Sequence, residues 1–131
     1  MHRAREELAA AGLLADHGFP AQAVSRSYYA AFYMAEEALQ RVGVARSKHA
    51  GVVAAVARVL VREYGLDPQS GRLLRSLFER RSRADYNVGD TPPSEAAQAV
   101  ADARVVVATI SEWLSGLDTT PGGPATNEQE Q

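Results

Sequence analysis

An all-α fold, an antiparallel up-and-down bundle of four to five helices, is what this 131-residue chain predicts. Three observations carry that expectation. Apolar residues recur every three or four positions through most of the chain, the period of a helix with one buried face. Alternating β-branched runs bounded by turn residues, the mark of strands, are missing. The periodic segments are joined by short connections, which favour antiparallel neighbours.

The first helix is expected over about residues 2–16, with His17-Gly18 as its stop signal. The second begins near Pro20, a residue suited to a first helical turn, and runs to about Val42 before Gly43. Val24, Tyr28, Phe32, Ala35, Leu39 and Val42 form its inward stripe. The third starts after Ser47, a good N-cap, and ends before Gly65, burying Val52, Val53, Val56, Val59 and Leu60. The fourth covers about Gln69 to Tyr86, with Leu73, Leu74, Leu77 and Phe78 inward, and Asn87-Val88-Gly89-Asp90 reads as a turn. The fifth opens at Thr91-Pro92-Pro93-Ser94-Glu95, where capping hydroxyls, prolines and an early acid coincide, and runs to about Ser115. Val100, Ala103, Val107, Ile110, Leu114 and Leu117 are its inward stripe. One domain over residues 1–117 is therefore expected, followed by a disordered polar tail over 118–131, whose TTPGGPATNEQEQ offers nothing to bury.

Composition narrows the function. Apolar residues make up 46% of the chain, which suits a globular body. There is no cysteine, which removes disulfides, thiolate metal sites and cysteine nucleophiles together. The histidines His2, His17 and His49 are scattered without metal-ligand spacing, and no cofactor is called for. No apolar run is long enough for a membrane span, and Glu6 and Glu7 interrupt what would be a signal-peptide core, so a cytoplasmic protein is expected. All 14 Lys and Arg precede residue 118, and three of the 16 acids lie beyond 117, so the body is close to neutral. Yet Arg72, Arg75, Arg80, Arg81 and Arg83 fall within twelve residues beside one acid, Glu79. A local basic patch of this kind favours a phosphate-bearing partner; arginines that coat a helix and pair with acids elsewhere would look the same.

Three groups of residues are candidates for chemistry. Leu74, Leu77, Phe78, Arg81 and Asp85 follow helical spacing, so Arg81 sits at the edge of the apolar stripe and can pair with Asp85 one turn on. Arg81 either snorkels over the core edge or holds a phosphate in a cleft with Asp85 and Tyr86. His49 follows Lys48 in the first turn of the third helix, where the helix dipole lowers a histidine's pKa and attracts anions. It is either a packed histidine or a base facing the same cleft as Arg81. Tyr29 and Tyr33 share a helix face with Arg26, next to the core-facing Tyr28 and Phe32. Such aromatics either stack bases or pack an interface.

Three segments, RSYYAAFYMAEEAL (26–39), SKHAGV (47–52) and LFERRSRADY (77–86), in this order and at these distances, resemble a HEPN-domain protein. More narrowly, they resemble the small stand-alone branch carrying an Arg-x-x-Ala-Asp-Tyr signature, here Arg81-Ser82-Arg83-Ala84-Asp85-Tyr86. The resemblance covers about residues 5–115. It implies a helical bundle that forms a homodimer. Many such proteins are metal-independent RNA endonucleases with an Arg-x(4–6)-His motif from each subunit at the dimer interface. Several are toxins controlled by a small nucleotidyltransferase encoded beside them.

The chain departs from that pattern at one point. Five residues on from Arg81 stands Tyr86, and no histidine follows. The tyrosine that the partner modifies in toxin-like members corresponds here to Val88. The resemblance thus implies a site of Arg81, Asp85 and Tyr86, with Lys48, His49, Arg83, Tyr29 and Tyr33 as phosphate- or nucleotide-binding residues. Its expected ligand is RNA or a nucleotide, its expected setting a toxin–antitoxin or defence system. A non-catalytic module that dimerises or docks a partner is the alternative from another class, and a neighbouring nucleotidyltransferase gene would argue against it.

Overall fold

The computed structural model describes residues 1–46, 48–86 and 88–119. Helix α1 spans His2–Asp16 and α2 spans Pro20–Arg41. Helix α3 (His49–Ala55) continues through a π-helical stretch (Val56–Val61) into the single turn α4 (Arg62–Tyr64), so these three pieces form one rod. Helix α5 spans Pro68–Tyr86, a 3-10 turn covers Val88–Asp90, and α6 spans Pro93–Thr119. Among the described residues there is no strand.

The helix ends follow the chain's own punctuation. After α1 and α2 the chain turns on Gly18 (φ 84°) and Gly43 (φ 81°), left-handed conformations that cost glycine nothing. The amides that follow close back onto the helices, Phe19 N–H to the Leu14 carbonyl and Val44 N–H to the Leu39 carbonyl, both at 2.9 Å. This is the glycine-dependent cap that satisfies otherwise orphaned carbonyls. Pro20 stands at the start of α2 as its sequence position predicts. The N-cap of α3 is Lys48; Ser47, expected in that role, lies outside the described residues, as does Asn87 of the predicted turn.

Helix α2 is the centre of the bundle. It packs against α1, α3, α5 and α6, and twelve of its 22 residues are buried. Six of the twelve are alanines (21, 23, 30, 31, 35 and 38), which let neighbouring helices approach closely. The predicted stripes are buried as expected at Val24, Tyr28, Phe32, Ala35 and Leu39, at Val52, Val53, Val56 and Leu60, and at Val100, Ala103, Val107, Ile110 and Leu114. Val42, Val59, Leu73, Phe78 and Leu117 are half-buried. The side-chain register shows α1 antiparallel to both α2 and α6: Arg26 reaches Glu7 at 3.2 Å, and Arg5 reaches Ser111 at 3.1 Å. Helix α6 is longer than its sequence pattern suggests, its backbone continuing to Thr119. The predicted tail over 118–131 thus begins within α6, and from residue 120 on it lies outside the described residues. No helix among them is long and apolar enough to cross a membrane.

Two polar clasps join the long helices. Trp113 donates its indole N–H to the Tyr64 carbonyl at 2.9 Å, tying α6 to the end of the third rod. Arg80 donates to Asp102 Oδ2 at 2.6 Å and to Ser76 at 3.1 Å, tying α5 to α6. The Arg80 and Asp102 side chains are only 11% and 15% exposed. Removing one member of so buried a pair strands the other charge. Arg80→Ala is therefore expected to cost about 3–5 kcal/mol, and the double variant Arg80→Met with Asp102→Leu to recover most of it. Asp85→Ala, at a carboxylate 53% exposed, should cost under about 1 kcal/mol. Urea denaturation of the three variants checks all three expectations.

Candidate functional site

Three helices converge at one aromatic cluster. Helix α2 contributes Tyr28 and Tyr29, α3 contributes its first residue, His49, and α5 contributes Phe78, Arg81 and Asp85. Consecutive residues of a helix point about 100° apart, so Tyr28 lies in the core while Tyr29 stands at its rim. Tyr28 is fully buried and Tyr29 half-buried. Phe32 and Tyr33 repeat this pair one turn later.

His49 is held by ring contacts and one hydrogen bond. Its Nδ1 and the Tyr28 hydroxyl lie 2.7 Å apart. Its ring stacks on Phe32, with centroids 4.4 Å apart and planes at 11°, and meets Tyr29 edge-on at 5.8 Å. Arg81 borders the same tyrosines. Its Nη1 donates to the Tyr29 hydroxyl at 3.1 Å, and its Cζ lies 5.3 Å from the Tyr28 ring centroid and 5.5 Å from that of Tyr29. These are cation–π distances.

The three guanidinium nitrogens of Arg81 are used differently. Nη1 is given to Tyr29. Nε faces Asp85 Oδ2 at 3.5 Å, an ion-pair distance, but is buried without a hydrogen-bond acceptor. Nη2 makes no hydrogen bond to a described residue, which leaves a donor for an anion.

Burial shapes the titration of both neighbours. The Tyr28 hydroxyl is pushed well above its usual pKa by desolvation, so it stays protonated at neutral pH. His49 is lowered from its ordinary value, first by burial and then by the Arg81 charge, with Glu36 opposing. Neutral imidazole is thus the resting form, as proton transfer requires. Of its two tautomers, the one that donates Nδ1–H to the Tyr28 oxygen leaves Nε2 basic.

The structure gathers some predicted residues and separates others. Tyr29, His49, Arg81 and Asp85 meet, and Tyr33 extends the cluster through a 5.9 Å ring contact with Tyr29. Tyr86 lies apart, 89% exposed at the end of α5, with no hydrogen bond, ion pair or ring contact to a described residue. Lys48 is exposed beside His49 without a described partner. Arg83 is exposed beyond the cluster, lining a hollow with Asp90, Thr91 and Glu95. Sequence reasoning put Tyr28 and Phe32 in the core, which is correct, and missed that Tyr28 also holds His49. It missed Arg3, whose Cζ lies 3.8 Å above the Tyr33 ring centroid, because nothing in the local pattern joins residue 3 to residue 33. Among the described residues no three His, Asp or Glu side chains stand together as a metal site.

The lowered His49 pKa fixes the sign of a pH effect. Below about pH 6.5 the unfolded chain takes up a proton at this histidine more readily than the folded chain does. His49 therefore contributes no pH slope above that point, and stability falls as pH drops through it toward the folded-state value. Urea midpoints measured between pH 8 and pH 5 should show this fall, and His49→Gln should remove its share of the slope.

Residues 1–113 match the HEPN domain. The protein named "Putative toxin MJ0605" of Methanocaldococcus jannaschii is 31% identical over 114 residues, covering 87% of this chain and 85% of that one. A UPF0332 protein of Thermotoga maritima is 39% identical over 84 residues, 64% of each chain. The UPF0332 protein glr0978 of Gloeobacter violaceus is 30% identical over 114 residues, covering 87% of this chain and 86% of that one. No solved structure matches the chain. With the match extending over nearly all of its helical body, and the all-α bundle to go with it, the chain belongs to the HEPN domain family.

Proposed function

We propose that this HEPN protein is a toxin-type ribonuclease whose active site pairs Arg81 with His49. The observation that carries the reading is the shared pair of tyrosines: Arg81 and His49 are each fastened to one of Tyr28 and Tyr29, and Arg81 Nη2 makes no hydrogen bond to a described residue. Arg81 would bind a non-bridging oxygen of an RNA phosphate and stabilise the charge that builds on it during attack. His49 Nε2 would take the proton of the adjacent ribose 2′-hydroxyl. The 2′-oxygen then bonds to phosphorus, the bond to the 5′-oxygen breaks, and that oxygen takes a proton from solvent. Asp85 holds the arginine, and Lys48 adds positive charge beside the histidine. His49 thus supplies the group that the family places after the arginine and that Tyr86 lacks.

The wider setting belongs to the same proposal. A homodimer would bring two such sites together, and a small nucleotidyltransferase would act as the antitoxin in the cytoplasm. The likeness to a protein named as a toxin supports that setting.

Incubation of the purified protein with a mixed RNA pool in EDTA tests the reading. Wild-type protein should cleave, and Arg81→Ala should lower the rate by about 10²-fold or more. His49→Ala should lose activity as well, and Tyr86→Phe should keep it. Cleavage that depends on Tyr86 and not on His49 would return the site to the end of α5. RNA neither bound nor cut would leave a helical docking module as the function.

A further inference from the structure

Beside the Arg81 site lies a hollow of about 280 Å³, bordered among others by Arg3, Tyr33, Glu36, Glu37 and Gln40. We infer that it is a subsite for an unpaired nucleobase, with guanine as the preferred base. The inference rests on the ribonuclease reading above and names the substrate feature that its site selects.

The hollow has a stacking surface. Tyr33 is half-buried, one turn along α2 from Tyr29, and the exposed Arg3 lies flat enough over its ring to approach within 3.8 Å of the centroid. Arg3 has no ion pair with a described residue, so the ring contact is what holds it there. An aromatic ring with a movable guanidinium above it can take a flat base between the two. A base in a duplex has both faces covered, so such a surface selects single-stranded RNA.

The hollow also has a reading edge. Glu36 and Glu37 balance Arg3 and the Met1 amino group, so the hollow has no net positive charge to draw a phosphate, and Glu36 suits a base with N–H donors. Glu37 is engaged by the amino group of Met1. Glu36 is half-buried and makes no hydrogen bond or ion pair with a described residue. It lines the hollow with Tyr33, three residues before it on α2. A carboxylate has two acceptor oxygens side by side. Guanine alone among the four bases offers two adjacent donors, N1–H and the N2 amine, on its pairing edge. Adenine and cytosine set an acceptor beside their single amine, and uracil has one N–H between two carbonyls.

The position agrees with one nucleotide's reach. Tyr33 touches Tyr29 at 5.9 Å between centroids, and Tyr29 accepts from Arg81. A base on Tyr33 would therefore belong to a nucleotide next to the phosphate on Arg81.

The test uses end-labelled five-nucleotide RNAs with 2′-O-methyl sugars, which resist cleavage, read by fluorescence anisotropy in EDTA. AAGAA should bind wild-type protein about ten-fold more tightly than AAAAA, the size of one good base-edge pair. AAIAA, whose inosine lacks the N2 amine, should fall between them. Glu36→Gln should abolish the difference between G and A. Tyr33→Leu should weaken AAGAA while Tyr33→Phe keeps its affinity, with thermal melts confirming that each variant is folded. Arg81→Ala should weaken every oligomer alike and keep the preference. Equal binding of AAGAA and AAAAA, or a preference that survives Glu36→Gln, would overturn the base subsite and leave the Arg81 reading standing. No binding of any oligomer by wild-type protein would overturn both.

Discussion

Everything in this bundle is arranged around α2, which has to be a core element and the wall of a site at once. A helix can do both only if its faces differ. On one side alanines, Val24, Met34 and Leu39 are fully buried against the other helices. On the other, Tyr29, Tyr33 and Glu36 stand half-buried at the rim. Tyr28 and Phe32 lie at the seam, buried in the core with His49 stacked against both rings. Small residues on the packing face let neighbouring helices close in, and α1, α3 and α5 bring residues 3, 49 and 81 to the same stretch of α2.

Two neighbouring arginines show how position on a helix decides what a charge does. Arg80 and Arg81 differ by one residue and about 100°. Arg80 turns toward α6, where Asp102 takes one donor in a nearly closed environment, while Ser76 of its own helix takes another. A charge paired in this way holds two helices in register. Arg81 turns toward α2, where aromatic faces and one hydroxyl hold it without exhausting its hydrogen bonds. Its ion pair with Asp85 is long and half open to water, and so exchangeable for a stronger anion.

In the proposed site, His49 stands in for a histidine after the arginine. A histidine after the arginine on α5 would extend the same helix; here the imidazole comes instead from the start of α3. Helix geometry alone does not bring it to Arg81. The link is the Tyr28 hydroxyl, which burial keeps protonated and which fixes one ring nitrogen of His49. Tyr86, which stands at the expected position along the chain, is exposed at the end of α5, where no element among the described residues covers it.

How much of this was legible in the chain depends on the range of the interaction. Helix positions, their caps at Gly18, Gly43 and Pro20, and the buried stripes are local or periodic properties, and these sequence alone determined. The i, i+4 pair of Arg81 and Asp85 was legible for the same reason. The added turn of α6 and the π-helical stretch at Val56–Val61 were not, since helical periodicity neither marks where a fraying end stops nor distinguishes one extra residue per turn. Contacts between residues 28 and 49, 29 and 81, 3 and 33, or 80 and 102 carry no trace in local pattern. They arise only when helices far apart in sequence pack on α2 and α6, because the chain's period names the face that is buried and leaves open which neighbour buries it.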